Sequence, residues 1–312
     1  MPPPNSQVSI TGRIRANRIV RFIFKILGDG LIRDRSPSRL RPNTHQMNPI
    51  FRKLLCSVAL LGHALHAQSE EVRVLAAGAA KHALEHLAAD FERSTGHRLQ
   101  AHFDTVGAQR DRVLAAPMGA VADVVILSDA AMATLSKSSK LGAAAPVPVG
   151  QVVVALAAPQ PRPANAPSNA SALQPLPPLR NADDLRQLLL ASPRIAYADP
   201  ARGATAGTHF AQVLDQLGLR EELAPRLTVL PFGVDVITAV AQGRYDLGVS
   251  QSSEIVPHAD IRFVGGLPPP YARTTGYSAA MVTDKPGSRA LLSFLGSDLA
   301  RQTWRASGFV DR

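Results

Sequence analysis

From Val72 onward the chain alternates short, nearly continuous apolar runs with longer segments whose apolar residues recur every three or four positions. The runs read as buried strands and the spaced segments as amphipathic helices. Strands are predicted over residues 72–76, 99–103, 122–127, 151–158, 195–198, 227–230, 246–249 and near 277–282. Helices are predicted over 80–91, with Leu84, Leu87, Ala88 and Phe91 on one face, and over 109–116, 130–135 and 234–241. A further helix over 181–190 has Asn181 as its cap, another carries Phe210, Val213, Leu214 and Leu217, and the last lie within 288–305. This order predicts an α/β fold with a parallel or mostly parallel sheet covered by helices on both faces. Residues 159–179 are rich in Pro, Asn and Ser and read as a surface loop.

The N-terminal region changes how the charge is read. Met47 begins a short basic stretch, Asn-Pro-Ile-Phe-Arg-Lys, followed by an apolar run over 54–62 and an ending Leu65-His66-Ala67. These are the three parts of a secretory signal, and the run is far short of the ~20 residues that span a bilayer. Residues 47–67 are therefore expected to direct export to the periplasm. Residues 1–46 hold nine Lys/Arg and two acids and read either as a long basic arm or, in preference, as a leader outside the native protein, with translation starting at Met47. Of the 34 Lys/Arg and 24 Asp/Glu in the chain, eleven and two precede Gln68, leaving 23 and 22 in the remaining 245 residues. The formal +10 thus falls to +1, and basicity gives no argument for nucleic-acid binding. The single cysteine, Cys56, leaves with the signal.

The 245 residues read as two lobes, one over 69–149 plus 268–312 and the other over 150–267, crossed twice by the chain at a hinge. Four strand-to-helix junctions stand out: Ala77-Gly78-Ala79, Asp104-Thr105-Val106-Gly107, Thr205-Ala206-Gly207 and Phe232-Gly233-Val234. Ligands of open α/β sheets bind beyond the carboxyl ends of strands, where helix starts offer unpaired amides to an anion. The first two junctions belong to one lobe and the last two to the other, so they are expected to face each other across a cleft. In this reading Gly207 gives the ligand close access to the backbone. A side chain there would block binding and leave the helix folded.

The order of these pieces resembles the type II periplasmic solute-binding proteins, in particular their molybdate-binding branch. The resemblance is carried by Val74-Leu75-Ala76-Ala77 before a helix and by Ala122-Asp123-Val124-Val125-Ile126 with Ser128-Asp129. It continues through Asp199-Pro200 with Ala206-Gly207, then Asp246-Leu247-Gly248-Val249, and a C-terminal helix with Phe294-Leu295. It implies a two-lobed fold of mixed sheets with a double-crossing hinge, a cleft anion held by amides and hydroxyls, and no cofactor or metal. It also implies a monomer working with the permease of an ABC transporter. The chain departs from the branch at Ala79, Val106 and Gly107, where the family has serines, and at about Gln251, where it has a tyrosine. Thr105 keeps a hydroxyl. A desolvated dianion needs donors, so these losses favour a small polycarboxylate over molybdate. Lys81, Arg110, Arg202 and His209 are candidate charge partners, Arg110 and Arg202 foremost because guanidinium forks match carboxylates.

The pattern also resembles a subgroup of the family that includes a periplasmic aconitate isomerase, which sets an enzyme on the same scaffold beside a binding protein. An isomerase needs a base within reach of an acidic C–H; Glu254, His209 and Asp104 are the candidates, Glu254 being alternatively a helix cap. His82 and His86 lack the Glu that makes a zinc-protease motif, and no nucleophile elbow, Walker loop or dinucleotide fingerprint occurs in context. N-terminal sequencing of the exported protein is expected to begin at or near Gln68; an intact Met1 would overturn that processing.

Overall fold

The computed structural model describes residues 69–160 and 179–312; the leader, the signal segment and most of the 159–179 loop lie outside the described residues. Nine strands form one mixed path, in the order β2-β1-β3-β9-β4-β7-β5-β6, with β8 pairing β4. They are β1 (Glu71–Ala77), β2 (Arg98–Asp104), β3 (Val124–Ser128), β4 (Val147–Pro159), β5 (Ile195–Ala198), β6 (Leu227–Leu230), β7 (Leu247–Gln251), β8 (Ile261–Gly266) and β9 (Thr274–Met281). The helices are α1 (Lys81–Thr95), α2 (Val106–Ala115), α3 (Asp129–Lys137), α4 (Ala182–Ala191), α5 (Thr205–Gln216), α6 (Arg220–Leu223), α7 (Gly233–Ala241), α8 (Ser252–Ile255), α9 (Pro286–Leu295) and α10 (Asp298–Ala306). A 3-10 turn, Gly78–Ala80, joins β1 to α1.

Parallel pairing is confined to two sets, β2-β1-β3 and β6-β5-β7. Between them β9 and β4 run antiparallel to their neighbours. The sheet is therefore mixed, where the βαβα order alone predicts a parallel or mostly parallel one. The long strand β4 pairs with β9 over its first half and with β7 and β8 over its second, so one strand serves both lobes.

Each set has its own core. The first is built from β1, β3 and β9 with α1, α3, α9 and α10, and includes Val74, Leu84, Phe91, Ile126, Leu135, Leu291 and Trp304. In the second, alternate strand residues face opposite sides. Leu156, Tyr197 and Val249 pack on Leu185, Phe210 and Leu214, whereas Ala157, Ala196 and Ala198 pack on Val236, Ile237 and Val240. A sheet covered on both faces has no polar side, which is why its strands read as continuous apolar runs. β8 escaped the sequence reading because its pattern is broken by Gly265 and Gly266 and half exposed; α6 and α8 are too short to show a helical period.

The carboxylate of Asp123, just before β3, is almost fully buried. It accepts bonds from the Arg73 backbone N–H and guanidinium, from Thr283 Oγ1 at 2.9 Å and from Lys285 Nζ at 2.8 Å. Burial pushes its pKa up, but the bonds from Arg73, Lys285 and Thr283 outweigh burial and hold it well below the usual carboxylate range.

Gly207 packs α5 onto β5: a β-carbon there would stand 1.7 Å from the Ala198 carbonyl oxygen. The expectation that Gly207 admits a ligand while the helix would tolerate a side chain is thereby corrected. Its missing side chain is a requirement of helix–strand packing. Gly207→Ala is expected to lower the unfolding free energy by about 3 kcal/mol, measured by urea denaturation.

Candidate functional site

The junctions named in the sequence meet around one cavity of about 280 Å³, at the small end of the ~300–1,000 Å³ typical of ligand pockets. Its wall takes Ala77, Gly78 and Ala79 from the start of α1, Asp104, Thr105 and Val106 from the start of α2, Ala204, Thr205 and Ala206 from the start of α5, and Phe232, Gly233, Val234 and Asp235 from the start of α7. Lys81, Phe103, Ala198, Gln251, Glu254 and Tyr277 complete it.

Local sequence explains why these helix starts have donors to spare. Helices whose starts do not line the cavity are capped by side chains: Ser128 on α3, Asn181 on α4 and Ser297 on α10 each accept a backbone N–H. The N-cap positions of the Gly78–Ala80 turn, α5 and α7 are Ala77, Ala204 and Phe232, which make no side-chain cap bond. Their first amides are left for water or a ligand. Thr105 caps α2, accepting from Ala108 N at 3.2 Å. The Gln251 side chain is buried and lines the cavity, yet neither its Oε1 nor its Nε2 has a hydrogen bond of normal geometry among the described residues. Gln251 is the N-cap of α8 and forms a capping box with Glu254, so both side chains are held at the cavity by the start of that helix.

Glu254 is the least expected member of an anion cradle. Its Oε2 accepts from the Ser250 hydroxyl and from Gln251 N at 3.3 Å. Glycines make room for it on both sides: a β-carbon at Gly78 would stand 3.0 Å from Oε1, and one at Gly233 2.1 Å from Oε2. Burial pushes the Glu254 carboxyl up, the bonds from Ser250 and Gln251 pull it down, and nearby Asp235 adds to the rise; the net shift is upward. Asp123 is the instructive contrast. Both carboxylates are desolvated, but Asp123 has two cations against it and Glu254 has none among the described residues. Tyr277, a residue the sequence reading missed, lies beside Glu254 with its hydroxyl toward Thr205 and Gln251. Burial, with Glu254 adding to it, raises its phenol well above the ordinary value.

Several candidates stand elsewhere. Arg110 lies on α2 with its Nε 2.7 Å from Asp111, outside the cavity wall. The guanidinium of Arg202 is also outside the wall, 3.2 Å from Asp104 and stacked 4.8 Å from the Phe232 ring centre. His209 Nε2 is 2.8 Å from the Tyr271 carbonyl oxygen and does not line the cavity. The two arginines that favoured a carboxylate are thus engaged by this chain's own acids.

Gly107 also lies behind the wall, where it forms part of a contact between the lobes. Its N–H donates to Gly203 O at 3.2 Å, the Thr105 hydroxyl donates to Arg202 O, and Asp104 pairs with Arg202. The two glycine backbones approach so closely that a β-carbon at Gly107 would be 2.8 Å from Gly203 Cα.

Comparison with known proteins agrees with this geometry. A family model described as bacterial extracellular solute-binding protein matches residues 72–310. An aconitate isomerase from a Pseudomonas species is 28% identical over 244 residues, covering 75% of this chain and 86% of that protein. Among solved structures, the periplasmic molybdate-binding protein of Azotobacter vinelandii superposes with a TM-score of 0.59 at 20% identity, over 77% of this chain and 99% of that one. The sulfate-binding protein of Mycobacterium tuberculosis gives 0.54 at 17% identity, over 77% and 86%. These likenesses establish the two-lobed periplasmic-binding-protein fold. If the Gly107–Gly203 contact holds the lobes together, Gly107→Ala should enlarge the radius of gyration in small-angle scattering. Ligand affinity should fall at least about tenfold, ~1.4 kcal/mol, with thermal unfolding little changed.

Proposed function

The chain belongs to the bacterial extracellular solute-binding proteins, and from that premise we propose that it captures a small organic carboxylate in the periplasm and passes it to a membrane permease. One observation carries this reading: three uncapped helix starts and the buried side chain of Gln251 face a single small cavity. Amides aimed at one point favour negative charge through their dipoles and unpaired N–H groups. The rest of the wall argues for an organic anion over molybdate or sulfate. Phe103, Val106, Phe232 and Val234 give it broad apolar surface, which suits a carbon skeleton and leaves a tetrahedral dianion short of donors on that side. Support for a carboxylate comes from this apolar wall, since Arg110 and Arg202 do not line the cavity. Among the described residues no helix is long and apolar enough to cross a membrane.

A second reading rests on Glu254 and on the aconitate isomerase relative. In this reading Glu254, in its ionised form, removes a proton from an allylic methylene of a bound unsaturated tricarboxylate. Returning that proton at the other end of the three-carbon unit moves the double bond with no other change in composition. Thermal shift and calorimetry with citrate, cis- and trans-aconitate, malate, molybdate and sulfate test the first reading. The carboxylates are expected to stabilise the protein and the two inorganic anions to leave it unchanged; stabilisation by molybdate alone would overturn the assignment. Proton NMR in deuterated water, following conversion of cis- to trans-aconitate with deuterium uptake, tests the second.

A further inference from the structure

We propose that Glu254 enters the ligand complex as a neutral acid and donates a hydrogen bond from Oε1 to the bound anion, so that each ligand is captured together with one proton. This rests on the anion-binding reading above. The two carboxyl oxygens have different surroundings. Oε2 is engaged, accepting from the Ser250 hydroxyl and the Gln251 N–H. Oε1 stands on the Gly78 side, where the wall of the cavity runs, and has no hydrogen-bond partner among the described residues. A protonated carboxyl has one donor, an ionised one has none. With Oε2 held as an acceptor, the proton belongs on Oε1, and the donor then points into the space a ligand would fill.

The alternative, an ionised Glu254 beside a bound carboxylate, places two like charges together in a desolvated site, which disfavours one of them. Among the described residues no cation forms an ion pair with Glu254 to relieve this. The ionisable groups that share the cavity wall with Glu254 are Asp235 from α7, Tyr277 from β9, Lys81 from the start of α1 and Asp104 from the end of β2. Strands β4 and β7 contribute no ionisable side chain, and Arg262 of β8 is not part of the wall. Lys81, itself 3.9 Å from Glu85, is the single cation of the wall, and the carboxylates of Asp104 and Asp235 stand against it. The raised pKa of this half-buried carboxyl runs in the same direction. Glycine at 78 and 233 fits this role, because a side chain at either position would displace the carboxyl from between the helix starts.

The test is calorimetric titration of the wild-type protein with trans-aconitate, citrate and malate between about pH 7 and about pH 9, in pairs of buffers that differ in ionisation enthalpy. Above the pKa of free Glu254, uptake is expected to approach about one proton per ligand, and the apparent affinity to fall about tenfold per pH unit. Glu254→Gln keeps a donor that does not titrate, so its affinity should be independent of pH over that range. Wild-type binding with no proton uptake overturns this inference and leaves the anion reading standing, with Glu254 free to act as a base. A Glu254→Gln protein that keeps the wild-type pH dependence overturns it as well, because another group then carries the proton. Absence of binding by all three carboxylates at every pH overturns the anion reading and this inference with it. The wild-type proton count needs no variant, so a misfolded Glu254→Gln protein leaves the test intact.

Discussion

Strand direction is the constraint on which the cleft depends. Strands β1, β2 and β3 run one way, β9 runs against them, and β4 runs with them again. Because β4 continues from the β9 ladder into the β7 ladder, the second lobe lies ahead of the first along that direction. Its parallel strands oppose β4 and therefore point back. The carboxyl ends of both parallel sets thus face each other, and the helices that follow β1, β2, β5, β6 and β7 start at the wall of one cavity. Reversal of either set would send its helix starts to the outer edge of the molecule, and no arrangement of side chains would restore the site.

The convergence has a cost that the sequence around the cavity manages. Uncapped helix starts forgo about 1 kcal/mol each relative to a Ser or Asn cap, and they do so at Ala77, Ala204 and Phe232, where the cavity lies. Stability is recovered elsewhere, through capped helices, the double-sided second core and the Asp123 network. Small residues then let the structure close on itself. Gly207 seats α5 on β5, Gly107 and Gly203 bring the lobes into backbone contact, and Gly78 and Gly233 house a carboxyl. Five glycines in one region serve three different packing tasks.

Most of the helix starts were legible in the sequence, because an apolar run followed by small residues and a spaced apolar pattern marks a strand-to-helix junction without knowledge of its neighbours. The wall residues Gly78, Ala79, Thr105, Val106, Thr205, Ala206 and Val234 follow directly from those junctions, and Gln251 from the family resemblance. The failures have a common physical origin. Arg110, Arg202 and His209 are close in sequence to the junctions, but a side chain's partner is fixed by tertiary geometry. Each of the three finds one within the chain: Asp111, Asp104 and the Tyr271 carbonyl. Tyr277 sits within β9, whose register against β3 and β4 decides what it faces. Gly207 was misassigned because local sequence does not tell a glycine that admits a ligand from one that admits a neighbouring strand.

Donors in this cleft divide into two kinds with different consequences for selectivity. Backbone amides at helix starts are present whatever side chains occupy those positions, so they supply a general preference for anions and little discrimination among them. Discrimination falls to the few side chains that reach the cavity: the hydroxyls of Thr105, Thr205 and Tyr277, the amide of Gln251 and the carboxyl of Glu254. Thr105 is already committed to Ala108 and Arg202, which removes it from contention. What remains is a neutral amide, two hydroxyls and the carboxyl of Glu254, with Lys81, Asp104 and Asp235 as the charged members of an otherwise largely apolar wall. Such a set distinguishes ligands by the placement of carbon and carboxyl groups more than by total charge. The proton on Glu254 then decides how much negative charge the cleft accepts.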